Sequence, residues 1–309
     1  METIKSINEV VKIENSVITI GNFDGLHKGH QVLIKKAVKY AKDNNIKSIV
    51  FTFENHPANY FRLSSLKKII NNKEKLRRIN KLGVDTIVNI PFDEYMTKIS
   101  PEDFIKEILV DKLGAKIIVV GYDFTFARNK EGNAKLLEHL SEKYNFKVEV
   151  VRPIKIDNIR VSSTYIRNLV TQGRVSKVKK YLGYNYEIEG EVIYSKQLGR
   201  QIGFPTANIK AGEDLIIPEI GIYATKVYIG DEMYYGATNV GYNPTVNGEN
   251  LSIETHILQF NEDIYGKTIR VEFLERIRDE NKFNSLDDLI KQLKKDTNFV
   301  YTKYICKNS

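Results

Sequence analysis

The sequence contains a single cysteine, Cys306, which cannot form an internal disulfide or a cysteine-based metal cluster and is interpreted as an inert thiol. Its apolar runs span only a handful of residues each, and residues 117–120 are typical. A membrane-spanning helix needs about 20 such residues, so we expect no transmembrane segment. Charged side chains interrupt the first twenty residues, which argues against a secretory signal and predicts a cytoplasmic location.

The chain also lacks internal repeats, low-complexity segments and dense runs of one charge. Its 47 basic and 39 acidic residues give a net charge of +8, but the basic residues are scattered, at most in pairs such as Lys35-Lys36. A solvated lysine-rich surface is therefore favoured over a polyanion-binding one, and small phosphorylated ligands remain open. With 42% hydrophobic residues over 309 positions, the composition predicts a globular protein of about two domains.

The first half of the chain alternates apolar runs with helical patterns. The runs are rich in β-branched residues, as expected of strands buried on both faces, and they cover residues 17–20, 48–53, 86–90, 116–120 and 147–151. A helix is predicted over residues 30–42, between the first two runs. This alternation predicts a doubly wound, Rossmann-like α/β domain whose parallel sheet binds ligands beyond the carboxyl ends of its strands.

After Gly183 the pattern changes to alternating apolar and polar residues, in segments separated by turn signals such as Gly230-Asp231. These segments cover residues 187–194, 222–229, 232–240, 252–258 and 268–274. Period-two patterning between short turns predicts an antiparallel β-barrel, and a helix capped by Ser285 is expected to pack on it and close the domain. The predicted domains are therefore residues 1–183 and residues 184–309.

A glycine-rich turn separates the first predicted strand from the first helix and reads Gly21-Asn22-Phe23-Asp24-Gly25-Leu26-His27-Lys28-Gly29-His30. Its glycines allow a ligand to approach the backbone, and the N-terminus of the following helix suits an anion. His27 and His30 share one face and can donate hydrogen bonds to charge growing on a phosphate during transfer. The alternatives are capping histidines or a zinc pair, and zinc would have only Asp24 as a further ligand nearby.

This turn resembles the Gly-x-Phe-Asp-Gly-x-His-x-Gly-His turn in the adenylyltransferase module of the bifunctional bacterial riboflavin kinase/FAD synthetases. The resemblance implies that His27 and His30 stabilise the nucleotide triphosphate while its α-phosphorus is attacked. It also implies nucleotide binding by the preceding residues of the turn, which are Gly21, Asn22, Phe23, Asp24 and Gly25.

Three further segments of the first half resemble the same family. Residues 52–57 match Thr-Phe-x-x-His-Pro and imply that His56 and Pro57 lie near the flavin, whereas an isolated His-Pro is often only a turn. In the segment after the fourth strand, the resemblance places Asp123 beside nucleotide and flavin, and Ala127 replaces a glycine that is usual there.

The third segment, residues 160–167, resembles a phosphate loop of the family. Hydroxyl and N–H groups at a helix N-terminus, with an arginine one turn in, suit triphosphate oxygens, and a simple N-cap would need only one hydroxyl. The resemblance assigns nucleotide binding to Ser162, Ser163, Thr164 and Arg167.

Residues 190–208 resemble the riboflavin kinase signature Gly-Arg-x-x-Gly-Phe-Pro-Thr-Ala-Asn over its whole length. The flexible loop can fold over phosphates, and Thr206 and Asn208 offer hard oxygen ligands that suit Mg²⁺, which these positions bind in the family. Ser195 replaces a glycine that is common in this loop. The resemblance implies contacts with nucleotide or flavin for Gly199, Arg200, Gly203 and Pro205.

The match continues through the remaining strands, where Val246 replaces the usual phenylalanine. By resemblance, Glu254 is the base that accepts the proton of the ribityl 5′-hydroxyl as it attacks the γ-phosphate of ATP. A glutamate in a half-buried strand is otherwise commonly an edge residue facing solvent, and Glu254's own spacing does not prove catalysis. Asn239 and Arg278 are assigned to the same site by resemblance, and the alternative for Arg278 is a solvated charge.

The resemblance covers nearly the whole chain and implies two consecutive reactions, both with Mg²⁺. Riboflavin and ATP give FMN in the second domain, and FMN and ATP give FAD and pyrophosphate in the first. The expected partners are riboflavin, FMN and ATP, without nucleic acid or membrane, and the oligomeric state is left open. The alternatives are a flavin-responsive regulator that binds nucleic acid and an enzyme that retains one activity, because Ala127 and Ser195 each touch a loop.

Overall fold

The computed structural model describes residues 2–60, 66–194, 198–245 and 248–306, so Ser195 and Val246 lie outside the described residues. It divides the chain into two compact units, of which the first ends at Ser163 and the second begins at Thr164. The domain boundary expected near Gly183 stays a prediction.

The strands of the first unit, in the part that the structure describes, are β1 (Glu2–Ile4), β2 (Ser16–Ile20), β3 (Lys47–Phe53), β4 (Thr86–Ile90), β5 (Ala115–Gly121), β6 (Thr125–Phe126), β7 (Gly132–Asn133), β8 (Lys147–Val151), β9 (Lys155–Ile156) and β10 (Ile159–Arg160). Six of these form one parallel sheet in the order β1-β4-β3-β2-β5-β8, and β6-β7 and β9-β10 are short antiparallel ribbons.

The α-helices of the same unit are α1 (Lys28–Asp43), α2 (Pro57–Tyr60), α3 (Asn72–Asn80), α4 (Glu94–Lys98), α5 (Pro101–Asp103) and α6 (Ala134–Ser141). A π-helical segment, Phe104–Lys112, continues α5, and short 3₁₀ turns lie at Ile7–Glu9, Asp24–Leu26 and Arg128–Lys130.

The parallel Rossmann-like sheet predicted from the apolar runs is confirmed, and the five runs correspond to β2, β3, β4, β5 and β8. Strands β2 and β4 are buried along their whole length, as expected where both faces of a sheet are covered. From β2 the following strands β3 and β4 are added on one side of the sheet, whereas β5 and β8 are added on the other side of β2, so the strand order reverses between β2 and β5. The carboxyl ends of β2 and β5 therefore flank the crevice where such sheets bind ligands.

The second unit takes in helix α7 (Ser163–Thr171) from Thr164 onward, followed by α8 (Val175–Leu182), α9 (Leu198–Gln201) and α10 (Leu286–Val300), which a π-helical turn, Tyr301–Ile305, extends. Its strands are β11 (Tyr186–Ile193), β12 (Thr206–Ala211), β13 (Gly221–Ile229), β14 (Glu232–Thr245), β15 (Gly248–Ile257) and β16 (Thr268–Arg278). They form a closed antiparallel barrel in the order β11-β12-β15-β14-β13-β16, and β16 pairs back with β11.

The barrel that the period-two segments predict is confirmed, and its interior contains a ladder of three buried threonines. The hydroxyls of Thr225 and Thr238 are 2.8 Å apart, and those of Thr238 and Thr255 are also 2.8 Å apart. Because side chains alternate along a strand, the neighbours of Thr255 on β15 project to the outer face of the barrel. This alternation places Glu254 outside the barrel.

Helix α10 begins as the sequence predicts, because the side chain of Ser285 accepts the N–H of Asp288 at 3.1 Å. Val300 on its apolar face is buried, whereas Leu286 is exposed. Across the described segments, no helix combines the length and the apolar character that crossing a membrane requires.

Candidate functional site

The glycine-rich turn after β2 is held in a fixed shape by its own backbone. Phe23 and Leu26 adopt left-handed conformations with φ of +49° and +36°, and both side chains are buried. Gly25 has a φ of +74°, and a Cβ there would lie 2.9 Å from Ile69. The Asp24 carboxylate accepts the N–H of Ile69 at 2.9 Å, which ties the turn to the segment before α3.

The two predicted histidines lie side by side at the start of α1. Their rings stack with centroids 3.5 Å apart, and Nδ1 of His27 accepts the N–H of His30 at 3.2 Å. His27 is thus the N-cap, which explains why α1 begins at Lys28, two residues before the predicted start. Because Nδ1 is an acceptor, the proton of neutral His27 is on Nε2, from where it can be donated to a ligand.

Burial determines the charge of both rings. It lowers the pKa of His27 to about 4, and burial, together with the proximity of His27, holds the pKa of His30 well below its usual range. Both imidazoles are therefore neutral at pH 7, and they act as hydrogen-bond donors rather than as cations. Nδ1 of His30 is buried without a hydrogen-bond partner among the described residues.

An open pocket joins the turn to the carboxyl end of β3. It brings the predicted nucleotide residues Asn22 and Asp24 together with the predicted flavin residue His56. His56 accepts the N–H of Ala58 through Nδ1 at 3.2 Å, and Pro57 begins α2. The remaining lining residues are Phe53, Glu54, Asn55, Lys68, Ile70, Asn72 and Lys75.

Asp123 follows β5, on the other side of the crevice from β3. Its carboxylate pairs with the guanidinium of Arg160, which lies 4.9 Å from the centroid of the Tyr122 ring. Asp123 is thus at the predicted edge of the sheet, with an arginine from the phosphate-loop segment as its partner.

The phosphate-loop residues are divided between the two units. Ser162 precedes α7, and Ser163 begins it and donates its hydroxyl to the carbonyl of Asp24 at 3.0 Å, which joins this loop to the glycine-rich turn. Thr164 and Arg167 lie further along α7, within the second unit.

Ala127, which replaces the usual glycine, has a φ of +60° and a ψ of −166°. This region is open to glycine and costs other residues about 1–3 kcal/mol. In the folded protein, the backbone strain at Ala127 is larger than the ~0.5–1 kcal/mol by which a glycine would stabilise the unfolded chain through its greater conformational freedom. We expect Ala127→Gly to raise the unfolding free energy by about 1 kcal/mol, measured by thermal or urea denaturation.

The matched control for this substitution is Ala37→Gly, in the middle of α1, where the backbone is helical. It should lower the unfolding free energy by about 1 kcal/mol or more. A lower melting temperature for Ala127→Gly would contradict a strained backbone at this position.

In the second unit, the predicted kinase residues meet on three adjacent strands. Glu254 on β15 lies directly opposite Asn208 on β12 and Asn239 on β14, so the three side chains project from one face. Glu254 is thus on an inner strand of the barrel wall and not on an edge. The amide nitrogen of Asn239 lies 3.4 Å from a carboxylate oxygen of Glu280, and its oxygen is buried without a partner among the described residues.

Thr206 lies two residues before Asn208 on β12 and therefore shares its face. β12 is a strand that the sequence analysis treated as part of the glycine loop. The residue that pairs with Thr206 on β15 is His256, whose Nδ1 donates to the carbonyl of Pro205 at 2.8 Å. His256 thus fastens the Phe-Pro turn to β15, a contact that the sequence analysis did not assign.

The glycines of the kinase signature are needed for the turn itself. A Cβ at Gly199 would lie 2.3 Å from the carbonyl oxygen of Phe204, and Gly203 has a φ of +84°. The N–H of Phe204 closes the turn on the carbonyl of Gly199 at 2.8 Å. Arg200 is exposed on α9.

Arg278 is in a fixed position rather than solvated. Its guanidinium makes three hydrogen bonds of 2.7–3.1 Å to the carboxylate of Asp296, which is buried on α10. Arg278 and Asn239 both pair with Ile222, on opposite sides of β13. Asp296 is not among the residues predicted from the sequence, although its spacing from Leu293 and Val300 places it on the buried face of α10.

Two family models match the chain. The model described as FAD synthetase matches residues 10–165, and the model described as riboflavin kinase matches residues 182–303. The first match contains the glycine-rich turn with its two histidines, and the second contains the barrel with Glu254.

Relatives match over almost the full length. A bifunctional riboflavin kinase/FMN adenylyltransferase of Buchnera aphidicola is 35% identical over 98% of both chains. Its namesake from Listeria monocytogenes is 36% identical over 91% of this chain and 90% of that one. A crystal structure of a macrolide-efflux protein from Streptococcus pneumoniae matches with a TM-score of 0.87 and 34% identity, over 96% of this chain and 97% of that one.

Proposed function

The chain belongs to the bifunctional riboflavin kinase/FMN adenylyltransferase family, and from this premise we propose that its first unit carries the adenylyltransferase site and its second unit the kinase site. The enzyme phosphorylates riboflavin to FMN and adenylylates FMN to FAD. The observation that carries the kinase assignment is the row of Asn208, Glu254 and Asn239 across three barrel strands. The efflux name of the streptococcal structure is not transferred, because both family models describe flavin enzymes.

In adenylyl transfer, a phosphate oxygen of FMN forms a bond to the α-phosphorus of ATP, and the bond from that phosphorus to the β-phosphate oxygen breaks to release pyrophosphate. We assign the stabilisation of the charge that develops on these oxygens to His27 and His30. Neutral imidazoles fixed by stacking and by the N-cap of α1 need no reorganisation at the moment of reaction. The N-terminus of α1 adds its backbone N–H groups and its dipole.

The same assignment covers the other first-unit positions. Gly21 to Gly25 and the hydroxyls of Ser162 and Ser163 bind the nucleotide. His56, Pro57 and Asp123 bind the flavin. The pocket that contains Asn22, Asp24 and His56 supports this assignment, because it places nucleotide and flavin residues on one continuous surface.

In the kinase step, the ribityl 5′-hydroxyl attacks the γ-phosphorus of ATP, its proton passes to a carboxylate oxygen of Glu254, and ADP leaves. Glu254 stands on an inner strand, with Asn208 and Asn239 as its cross-strand neighbours on the same face. We assign contacts with nucleotide or flavin to Gly199, Arg200, Gly203, Pro205, Asn239 and Arg278. Asp296 positions Arg278 through its three hydrogen bonds.

The second unit fits a bound Mg²⁺ through Thr206 and Asn208. A hydroxyl and an amide oxygen on one face of β12 are hard ligands, and a Mg²⁺ ion that keeps most of its waters needs only one or two of them beside the phosphates. When bound, the ion would neutralise charge on the β- and γ-phosphates. Among the described residues there is no cluster of three or more histidine, cysteine, aspartate or glutamate side chains that could hold a metal ion.

Replacing Asn208 with alanine tests this assignment. We expect the Mg²⁺ concentration that gives half-maximal FMN formation to rise about tenfold or more, because one protein ligand of the ion is lost. Titrating Mg²⁺ at saturating riboflavin and ATP measures the effect. Lys210→Ala, at an exposed position further along β12, is the control and should leave the requirement unchanged. If the folded Asn208→Ala variant needed the same Mg²⁺ concentration as the wild type, Asn208 would not be a ligand of the metal.

We further propose a boundary between the two functional domains near Gly183 and a cytoplasmic location. The boundary is supported by the end of α8 at Gly183, which has a φ of +87°, and by the riboflavin kinase match that begins at residue 182.

A further inference from the structure

A buried lysine lies in the pocket between the predicted nucleotide and flavin residues. Lys75 on α3 is 6% exposed, and it lines the same pocket as Asn22, Asp24 and His56. Lysine is almost never this buried unless it is paired with an acidic group or a ligand. Neither the family resemblance nor the mechanism above gives this side chain a role.

The protein itself leaves the ammonium of Lys75 incompletely neutralised. Its Nζ donates to the hydroxyl of Thr52 at 3.3 Å and to the carbonyl of Phe53, both of which are neutral acceptors. Within the described residues, no carboxylate forms an ion pair with this ammonium, although Asp24 and Glu54 attract it from a distance and Lys68 repels it. One of its three N–H groups thus has no acceptor among these residues.

Burying a cation without a bonded counter-ion costs free energy, and this cost disfavours the charged form of Lys75. Burial lowers the pKa of Lys75 to about 8, although the charge of Asp24 and then that of Glu54 oppose the shift. An anion entering the pocket would supply both the missing acceptor and the missing charge. Two carboxylates, Asp24 and Glu54, and two ammonium groups, Lys68 and Lys75, line the pocket, so the preference for an anionic ligand group applies to the position beside the unfilled N–H of Lys75.

The position of Lys75 indicates which anion this is. Thr52, which accepts from Lys75, donates to the carbonyl of Asn22 at 3.3 Å, so the ammonium lies next to the turn that carries the histidines. His56, at the proposed flavin end, lines the same pocket. The triphosphate of ATP is assigned to the N-terminus of α1, and the remaining anion of the reaction is the phosphate of FMN.

We propose that Lys75 binds the phosphate of FMN and positions it as the nucleophile of adenylyl transfer. A lysine ammonium suits this role because it binds phosphate as a point charge and does not impose the geometry of a guanidinium. This inference rests on the proposed adenylyltransferase function of the first unit.

The experiment is steady-state FAD formation from supplied FMN and ATP by the full chain. Lys75→Met keeps the apolar stem and removes the charge, and it should raise KM for FMN about 10- to 100-fold, as expected for losing a hydrogen bond to a charged group. KM for ATP should change less than about threefold, because the triphosphate is assigned to the two histidines and the N-terminus of α1 and not to Lys75. Lys73→Met, at an exposed position on the same helix, is the matched control and should change neither constant.

The pH dependence gives a second, independent measurement that does not need the methionine variant to fold. The value of kcat/KM for FMN should fall as the pH rises through about 8 in the wild type, because the ammonium of Lys75 loses its proton. Lys75→Arg remains charged and should show no fall between pH 8 and about 9.5. The charged groups that face Lys75 are Asp24, Glu54 and Lys68, and all three are retained in the arginine variant.

Two results would overturn the proposal. One is a folded Lys75→Met chain whose KM for FMN stays within about threefold of the wild type or rises in parallel with KM for ATP. The other is the same dependence of kcat/KM for FMN on alkaline pH in the wild type and in the Lys75→Arg variant. Failure of the underlying function gives a different result, since the wild-type chain would then form no FAD from FMN.

Discussion

Glu254→Gln should lower the rate of FMN formation by about a hundred- to ten-thousand-fold, because glutamine keeps the shape of the side chain and removes its basicity. A primary alcohol is a poor nucleophile near neutral pH, and a carboxylate that accepts its proton during transfer contributes a factor of this size. The cross-strand neighbours of Glu254, Asn208 and Asn239, are neutral polar residues, and glutamine matches glutamate in size, so the fold should be kept. The measurement is the rate of FMN formation under conditions where chemistry is rate-limiting.

This variant also separates the two activities. Conversion of supplied FMN to FAD should continue at the wild-type rate, and the affinities for riboflavin and ATP should change much less than the turnover rate. Glu191→Gln, an exposed glutamate on β11, is the control and should be nearly fully active. Near-normal kinase turnover in folded Glu254→Gln would make Glu254 a structural strand residue.

Replacing both His27 and His30 with alanine should abolish FAD formation and leave FMN formation near normal. Removing one preorganised donor in comparable sites costs about a hundred- to a thousandfold in rate, and this substitution removes two. FMN formation should persist because the kinase residues lie on the barrel of the other unit. The measurement is the amount of FMN and FAD formed from riboflavin and ATP.

A third variant separates the catalytic role of His27 from its structural role. His27 also caps α1, and losing a cap costs about 1 kcal/mol of stability. Asparagine is a good N-cap residue, so His27→Asn should keep the stability of α1 and still lose most of the FAD-forming rate. His139→Ala, an exposed histidine on α6, controls for general effects. If the folded variant with both His27 and His30 replaced by alanine lost FMN formation as completely as FAD formation, the two reactions would not have separate sites.

The sequence predicted the parts of the fold that depend on long apolar or alternating patterns. Strands β2 to β5 are runs rich in β-branched residues, and barrel strands such as β11 and β16 alternate over part of their length, so both periodicities were visible. Strand β1 was missed because only Ile4 of its three residues is buried. β12 was missed because the glycines and proline before Thr206 indicated a loop, and strand pairing overrides that local signal.

Residues of the candidate site could be predicted where a local sequence motif is enough to place them on an element of the fold. His27, His30 and Glu254 stand where the motifs place them, at a helix N-terminus and on a barrel strand. Lys75 and Asp296 were missed because charged residues in helices usually face solvent. Their spacing carried a signal, since Lys75 lies four residues before buried Ile79, and Asp296 lies four before buried Val300.

The charge states of the site could not be read from the sequence at all. The neutral form of His27 depends on desolvation and on the N-cap hydrogen bond, both of which appear only when the turn folds. The pairing of Asp123 with Arg160 likewise joins residues that are 37 positions apart.

A time course with purified protein, riboflavin, ATP and Mg²⁺ tests most directly whether this one chain carries out both reactions in sequence. Separating the flavins at each time should show FMN appearing first and then FAD, with one pyrophosphate released for each FAD. A reaction that stops at FMN would contradict the adenylyltransferase assignment. Unchanged riboflavin, with nucleic-acid binding that weakens steeply as salt rises, would contradict the whole account and favour a flavin-responsive regulator.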